Sequence, residues 1–361
     1  MTGWSELPMV SIWTQMFIAK VFLLIMAFYV ILPRLHSKKN SKRTPEGKKR
    51  HAVITGGSSG IGLALAQECI RSGVSKVTLI ARNVGNLKKA KAQLETLCQS
   101  THSKTTISIL SLDISNAKEV QEKVATFLQS SEPPTLLFNN AGASSSSSFV
   151  DTPYEEFDRL MKINYLGGVN VTRAFLPSMI QSYSGGDDSS CSCGASVTFT
   201  SSAAGQVGVY GYSAYSPTKA ALRGFAESLQ MEVRRDNVAV ILAYPPDTDT
   251  PGYKLEQVGK PLETHLISET MGLFDAKDVS KRMLSAALAL HPPFSVYFGL
   301  EGWMLATLTA GMSPVHTIID AICQVYLMGL LRLVSLFYLF DFSRIIQKVG
   351  NEKKANKTKK E

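Results

Sequence analysis

The chain has 361 residues, 45% of them apolar and 9% aromatic, with a formal charge of +9 and a mean hydropathy of +0.04. That is enough material for the core of one large domain or two smaller ones, and it excludes a disordered chain. Five cysteines, with only Cys191 and Cys193 close together, exclude a disulfide scaffold and offer no zinc-ligand spacing, so no metal site is expected.

The charge is concentrated in two blocks. Residues 34–50 carry eight cations against Glu46, and residues 351–361 carry five lysines against Glu352 and Glu361, which leaves the rest at −1. A nearly neutral body excludes a basic nucleic-acid groove. Both blocks flank apolar stretches. Residues 10–32 contain a single charge, Lys20, and a span of about 16–32 lets that lysine snorkel to one interface. Residues 1–33 are therefore expected to be a transmembrane anchor and 34–50 a basic linker, with the remainder of the chain in the cytosol. A cleaved signal peptide is the competing reading; it fits poorly, because the cations lie after the apolar run.

From His51 onward, β-branched runs at 51–55, 76–81, 106–112, 135–139, 195–200, 238–244 and 294–298 alternate with amphipathic patterns at 60–72, 86–99, 116–130, 154–182, 213–236 and 276–290. Continuous apolar strands separated by helices predict an α/β fold, a Rossmann-type doubly wound parallel sheet of about seven strands over 51–300. Residues 182–194, of low complexity, read as a surface insertion.

Candidate site residues fall where strands end. Gly56-Gly57-Ser58-Ser59-Gly60-Ile61-Gly62 joins the first strand to the first helix, and its glycines let a pyrophosphate approach a helix N-terminus. Arg82 ends the second strand, where a cation pairs with the 2′-phosphate of NADPH and an acidic residue would select NAD. Asn86 stands one turn later. Asp113, after the third strand, is placed to accept from an adenine amino group; an exposed helix N-cap is its other reading. Asn140 comes after the fourth strand among small residues. Asn164, on the helix after it, is placed to hold a water that relays protons, or to satisfy the core. Ser201 and Ser202 end the fifth strand, and either hydroxyl suits a substrate carbonyl. Tyr215 and Lys219 lie four apart on one helix face, where a lysine ammonium favours the phenolate and lowers its pKa. Pro217 between them is tolerated only within the first helical turn. Thr248, in the proline-rich turn after the sixth strand, can reach a carboxamide such as that of nicotinamide.

A second apolar run, 322–340, contains Arg332. A single crossing there would put the lysine-rich tail opposite the first basic block, so an interfacial or re-entrant segment is expected over 301–345, then a tail over 346–361. A core or dimer-interface helix is the alternative. The last five residues have a K-x-K-x-x pattern similar to an endoplasmic-reticulum retrieval signal.

In this order and spacing, the glycine turn, Asn139 to Gly142, Ser201/Ser202 and Tyr215/Lys219 resemble the short-chain dehydrogenase/reductase family over about 51–300. Finer detail at 81–83, 201–219, 243–252, 261–270, Gly311-Met312 and the apolar run to Phe340 is similar to the members that reduce 3-keto sphingoid bases. The resemblance implies Tyr215 as proton donor, Lys219 as its tuner, Asn164 as relay and a serine as carbonyl holder, with spacing from Gly205 favouring Ser202. It also implies NADPH as cofactor, a 3-ketosphinganine-type lipid as substrate, and the endoplasmic-reticulum membrane as site with the catalytic domain in the cytosol. A homodimer is left open. Asn86 departs from the family where a lysine would add to phosphate binding, which shifts the load to Arg82. A membrane-anchored reductase of a steroid, retinoid or fatty-acyl ketone would share the same catalytic residues, and a non-catalytic NADPH-binding scaffold is the reading from another class.

Overall fold

The computed structural model describes residues 50–183 and 194–358. The expected anchor, most of the basic linker, nearly all of the 182–194 insertion and the last three residues lie outside the described residues.

Among the described residues nine strands form: β1 (His51–Thr55), β2 (Lys76–Ala81), β3 (Thr106–Ser111), β4 (Leu136–Asn139), β5 (Ala195–Thr200), β6 (Val238–Ala243), β7 (Thr248–Asp249), β8 (Phe274–Asp275) and β9 (Ser295–Val296). Seven make one parallel sheet in the order β3-β2-β1-β4-β5-β6-β9, and β7 pairs with β8 separately. Residues of β1, β4, β5 and β6 are buried throughout, as expected of strands covered on both faces. The seventh strand of the sheet is only two residues long, although the apolar pattern predicts five, because β9 meets β6 only at Leu242 and Ala243.

The helices are α1 (Gly60–Arg71), α2 (Val84–Ser100), α3 (Ala117–Ser130), α4 (Tyr154–Leu160), α5 (Gly167–Tyr183), α6 (Ser216–Glu232), α7 (Pro251–Glu256), α8 (Leu262–Ser268), α9 (Ala276–Ala287), α10 (Gly299–Leu308) and α11 (Ile318–Thr358). One core packs Leu65, Cys69, Leu87, Leu94 and Met283 of α1, α2 and α9 against the sheet; the other packs Val120, Val171, Phe175, Leu222 and Ala226 of α3, α5 and α6. The predicted helix over 154–182 is interrupted by a π-helical stretch, Met161–Leu166, that contains Asn164. Chain order reverses between β1 and β4, which opens a crevice at their carboxyl ends, the usual ligand position in such sheets.

The C-terminal extension is tied to this body. Arg223 of α6 donates to the carbonyls of Thr309 and Ala310, each at 2.6 Å, and to Ser313 Oγ at 2.9 Å. α11 runs unbroken for 41 residues, about 60 Å at 1.5 Å per residue, straight through the expected boundary at 345. Cys323, Leu331 and Val349 are buried, and Lys353 Nζ donates to both oxygens of Glu263 at 2.7 and 2.9 Å. By length and composition, α11 is apolar enough to cross a membrane.

His51 opens β1 with its ring against Glu132 O at 2.9 Å and Thr78 Oγ1 at 2.8 Å. Burial lowers its pKa from 6.5 to about 4. The unfolded chain therefore binds the extra proton between those values, so stability is complete above pH 6.5 and is lost as pH falls toward 4. The loss from this one group is about 3 kcal/mol. Urea unfolding at pH 7 and pH 4.5 is expected to show a smaller acid loss in His51→Gln than in the parent chain.

Candidate active site

Thr55 ends β1 and holds the crevice together. Its Oγ1 accepts from the amides of Asn140 at 2.9 Å and Ala141 at 3.0 Å. Asn140 in turn donates to Thr55 O at 3.4 Å and accepts from Thr200 Oγ1 at 3.4 Å, joining the ends of β1, β4 and β5. Thr55 is a site residue that sequence reasoning missed; its signal is a hydroxyl at the last position of the strand that feeds a glycine turn.

The turn itself has no room for side chains. Gly56 has φ +66°, and a Cβ there would stand 2.9 Å from Ala141 Cα; a Cβ on Gly62 would stand 2.3 Å from Gly56 O. Ser59 caps α1 in extended conformation without using its side chain, and the first turn of α1 carries no acidic residue, so its amides and dipole face the crevice. Ser59, Gly60 and Ile61 line the cleft and Ser58 stands partly buried beside them. This cradle fits a dinucleotide phosphate.

Arg82 and Asp113 end neighbouring strands, 3.9 Å apart. Arg82 is exposed, as is Asn86, whose amide donates to the cap residue Asn83. Asp113 accepts from Ser115 N and Oγ at 2.9 and 2.7 Å, while Asn116 caps α3, so the cap reading of Asp113 is replaced by a turn that fixes its carboxylate. These three residues are not among those that line the cleft.

Asn164 lies buried and clamps a loop. Its Oδ1 accepts from Ala143 N at 2.8 Å, and its Nδ2 donates to Ala143 O at 2.9 Å and Thr218 Oγ1 at 3.0 Å. The missing Cβ of Gly142 would sit 3.1 Å from Asn164 Oδ1 and 3.3 Å from Lys219 Nζ, so both groups border one small space.

Lys219 is buried and donates to Thr200 O at 2.9 Å, with Nζ 5.7 Å from the centre of the Tyr215 ring. Burial lowers its pKa from 10.5 to about 8. Pro217 falls in the first turn of α6, where no amide is missed. The two serines point differently. Ser201 is buried and its Oγ donates to Lys219 O at 2.9 Å; Ser202 Oγ accepts from Ala204 N, hydrogen-bonds with Tyr215 and faces the cleft. The Tyr215 phenol is pushed upward by burial and by the charges of Glu256 and Asp247, against a smaller pull downward from Ser202. In the polypeptide alone, then, the expected lowering by Lys219 does not appear among the influences on the phenol, which is held upward in its protonated form, the form that donates. Thr248 borders the cleft with its hydroxyl donated to Pro246 O at 2.9 Å, leaving the oxygen as an acceptor.

The cleft encloses about 1030 Å³, polar at the Ser202–Tyr215 floor and walled farther out by Met304, Leu305 and Leu308 of α10 and Leu331, Val334 and Leu339 of α11. Sequence patterning does not show these helices as walls, since only the fold brings them over the site.

A short chain dehydrogenase family profile matches residues 50–257. The chain is 42% identical to a Bos taurus 3-ketodihydrosphingosine reductase over 84% of its own length and 87% of the relative's, and 40% identical to a Danio rerio 3-dehydrosphinganine reductase over 91% and 96%. Among solved structures it is similar to an alcohol dehydrogenase from Thermococcus sibiricus complexed with 5-hydroxy-NADP, with 25% identity and a TM-score of 0.52 over 65% of this chain and 88% of that one. With a profile match over more than half its length and a nicotinamide-type cradle beside a Ser-Tyr-Lys floor, the chain belongs to the short-chain dehydrogenase/reductase family, oxidoreductases of a ketone and its alcohol.

Proposed function

We propose that the protein reduces the 3-keto group of 3-ketodihydrosphingosine (3-ketosphinganine) to sphinganine with NADPH, at the cytosolic face of the endoplasmic-reticulum membrane. The observation that carries this is one cleft of about 1030 Å³ that joins a carbonyl-directed Ser202–Tyr215 pair to a mainly apolar wall from α10 and α11, broken by Glu301, Arg332 and Ser335, where an alkyl tail finds apolar contact. The names of the relatives support the substrate.

The bound dinucleotide supplies a hydride for C3. Ser202 and Tyr215 hydroxyls hold the carbonyl oxygen, and the phenol gives its proton to that oxygen as negative charge develops. The lone pair of Asn164 Oδ1 not used by Ala143 holds a water beside Lys219, through which the phenolate regains its proton. Asn140 and Thr248 shape the nicotinamide end, and Gly56, Ser58, Ser59, Gly60, Ile61 and Gly62 hold the pyrophosphate. Arg82, with Asn86 beside it, would take the 2′-phosphate, and Asp113 would accept from the adenine amino group.

Two substitutions separate these roles. Ser202→Ala is expected to lower kcat about 10²–10³-fold with the fold intact, whereas Ser201→Ala costs about 0.5–1.5 kcal/mol of stability through the lost hydrogen bond to the Lys219 carbonyl, which the helix still pairs, and lowers kcat less. Steady-state kinetics with thermal unfolding distinguishes them. Arg82→Ala is expected to raise KM for NADPH about tenfold or more and leave NADH unchanged.

α11 is read as an interfacial helix. It is held to the domain at Cys323, Leu331, Val349 and Lys353, so it lies along the body, with Val325, Tyr326, Phe337 and Phe340 exposed for contact with lipid. The anchor at 1–33 and the linker at 34–50 hold the reductase domain 51–300 near the surface, and the segment 301–345 borders the path a lipid takes into the cleft. Incubating the full chain with NADPH and 3-ketosphinganine, a ketosteroid and retinal in parallel tests the substrate. Sphinganine is the expected product, and faster turnover of the steroid or retinal would replace this reading.

A further inference from the structure

Next to Tyr215, beyond the Tyr212 ring that packs on it, stands a group of charges that the reaction does not use. Lys260 is almost wholly buried, with Nζ 3.5 Å from Asp247 Oδ2 and 3.4 Å from Glu256 Oε1. It lies 5.7 Å from the ring centres of both Tyr212 and Tyr253. Tyr212 donates its hydroxyl to Glu256 Oε1. Asp247 Oδ1 and Glu256 Oε2 receive no hydrogen bond from any described residue, and both residues line the cleft that holds Tyr215.

Two carboxylates against one ammonium leave a net charge of about −1 in a largely buried wall, a costly arrangement unless a further cation completes it. That negative charge reaches the reaction centre, since Glu256 and Asp247 are the two acidic groups felt by the Tyr215 phenol. Both carboxylates line the cleft that holds Ser202 and Tyr215, so they share one cavity with the substituents of a carbonyl held there.

We propose that Glu256 and Asp247 form an ammonium subsite that selects a ketone carrying a protonated amine on the adjacent carbon. Lys260 behind them fixes the spacing of the carboxylates and holds one oxygen of each, leaving the other oxygen to the ligand. This subsite rests on 3-ketosphinganine being the substrate and adds the part of that molecule that is recognised.

The test compares 3-ketosphinganine with the 1-hydroxy-3-ketone of the same chain length that lacks the amine, in detergent micelles with NADPH. The full-length protein, Glu256→Gln and Asp247→Asn are assayed, with NADPH binding and thermal unfolding as checks of folding. The parent chain is expected to prefer the amine-bearing ketone in kcat/KM by at least about tenfold, and each substitution to reduce that preference severalfold, chiefly through KM for the amine-bearing ketone. A preference that survives both substitutions, with the two ketones losing rate in parallel, would show a merely structural ion cluster and overturn the proposal, as would a parent chain indifferent to the amine. A parent chain that reduces neither sphingoid ketone but does reduce a steroid or retinal overturns the substrate reading itself, and that outcome is distinct from the other two.

Discussion

Replacing Tyr215 by Phe is expected to lower kcat by about 10²–10⁴-fold while NADPH binding, measured by cofactor fluorescence, stays within a few-fold of the parent chain. The substitution removes one oxygen and keeps the ring, which packs on Tyr212 with centroids 5.3 Å apart. What is lost is the proton donor and the hydrogen bond with Ser202; what is kept is the N-terminal turn of α6 and the Lys219 bond to Thr200 O. Loss of NADPH binding in this variant would mean that Tyr215 supports the fold of the cleft and not the chemistry. Unchanged biological function with no turnover would favour a scaffold.

Gly62→Ala is expected to abolish NADPH binding and to destabilise the domain by about 1–3 kcal/mol or more. Its added Cβ would lie 2.3 Å from Gly56 O and 2.8 Å from Asn140 Nδ2, both parts of the crevice that has no flexible end to give way. Either Gly56 shifts, which breaks the turn, or Asn140 releases Thr55 and Thr200. Gly224→Ala serves as the contrast: it lies within α6 with nothing near its missing Cβ, and there the same change is expected to stabilise by about 0.5–1 kcal/mol. Thermal unfolding of the two variants side by side checks the steric argument against a general intolerance of alanine.

The doubly wound sheet is legible in the sequence because its central strands are buried on both faces, so 51–55, 195–200 and 238–243 stand out as short runs of apolar and β-branched residues without a charge at neutral pH. The glycine turn and the Tyr215–Lys219 pair are legible because they depend on local geometry: a left-handed φ in one case, one helical turn in the other. The choice between Ser201 and Ser202 is not. Both are serines at one strand end, and which hydroxyl turns toward the cleft is set by the Lys219 carbonyl, 18 residues away in sequence. The π-helical stretch at Asn164 is hidden for the same reason, since its amide is pulled inward by Ala143 on another segment. The short helices α7 and α8 do carry local signals in Thr250-Pro251 and Pro261, residues that start helices, but they lack the apolar periodicity that marks longer ones. α11 reads in sequence as a 19-residue apolar run and folds as a helix more than twice that length, because helix-forming residues such as Gln347, Lys348, Glu352 and Lys354 continue it and Lys353 finds Glu263.

Hydride and proton must both reach one carbonyl in this cleft, and mass analysis of the product reads that directly. The full chain is given 3-ketosphinganine and NADPH deuterated at C4. Sphinganine carrying the deuterium at C3, formed by the parent chain and not by Tyr215→Phe, is the predicted result. No sphinganine, or sphinganine formed equally by both proteins, would contradict it.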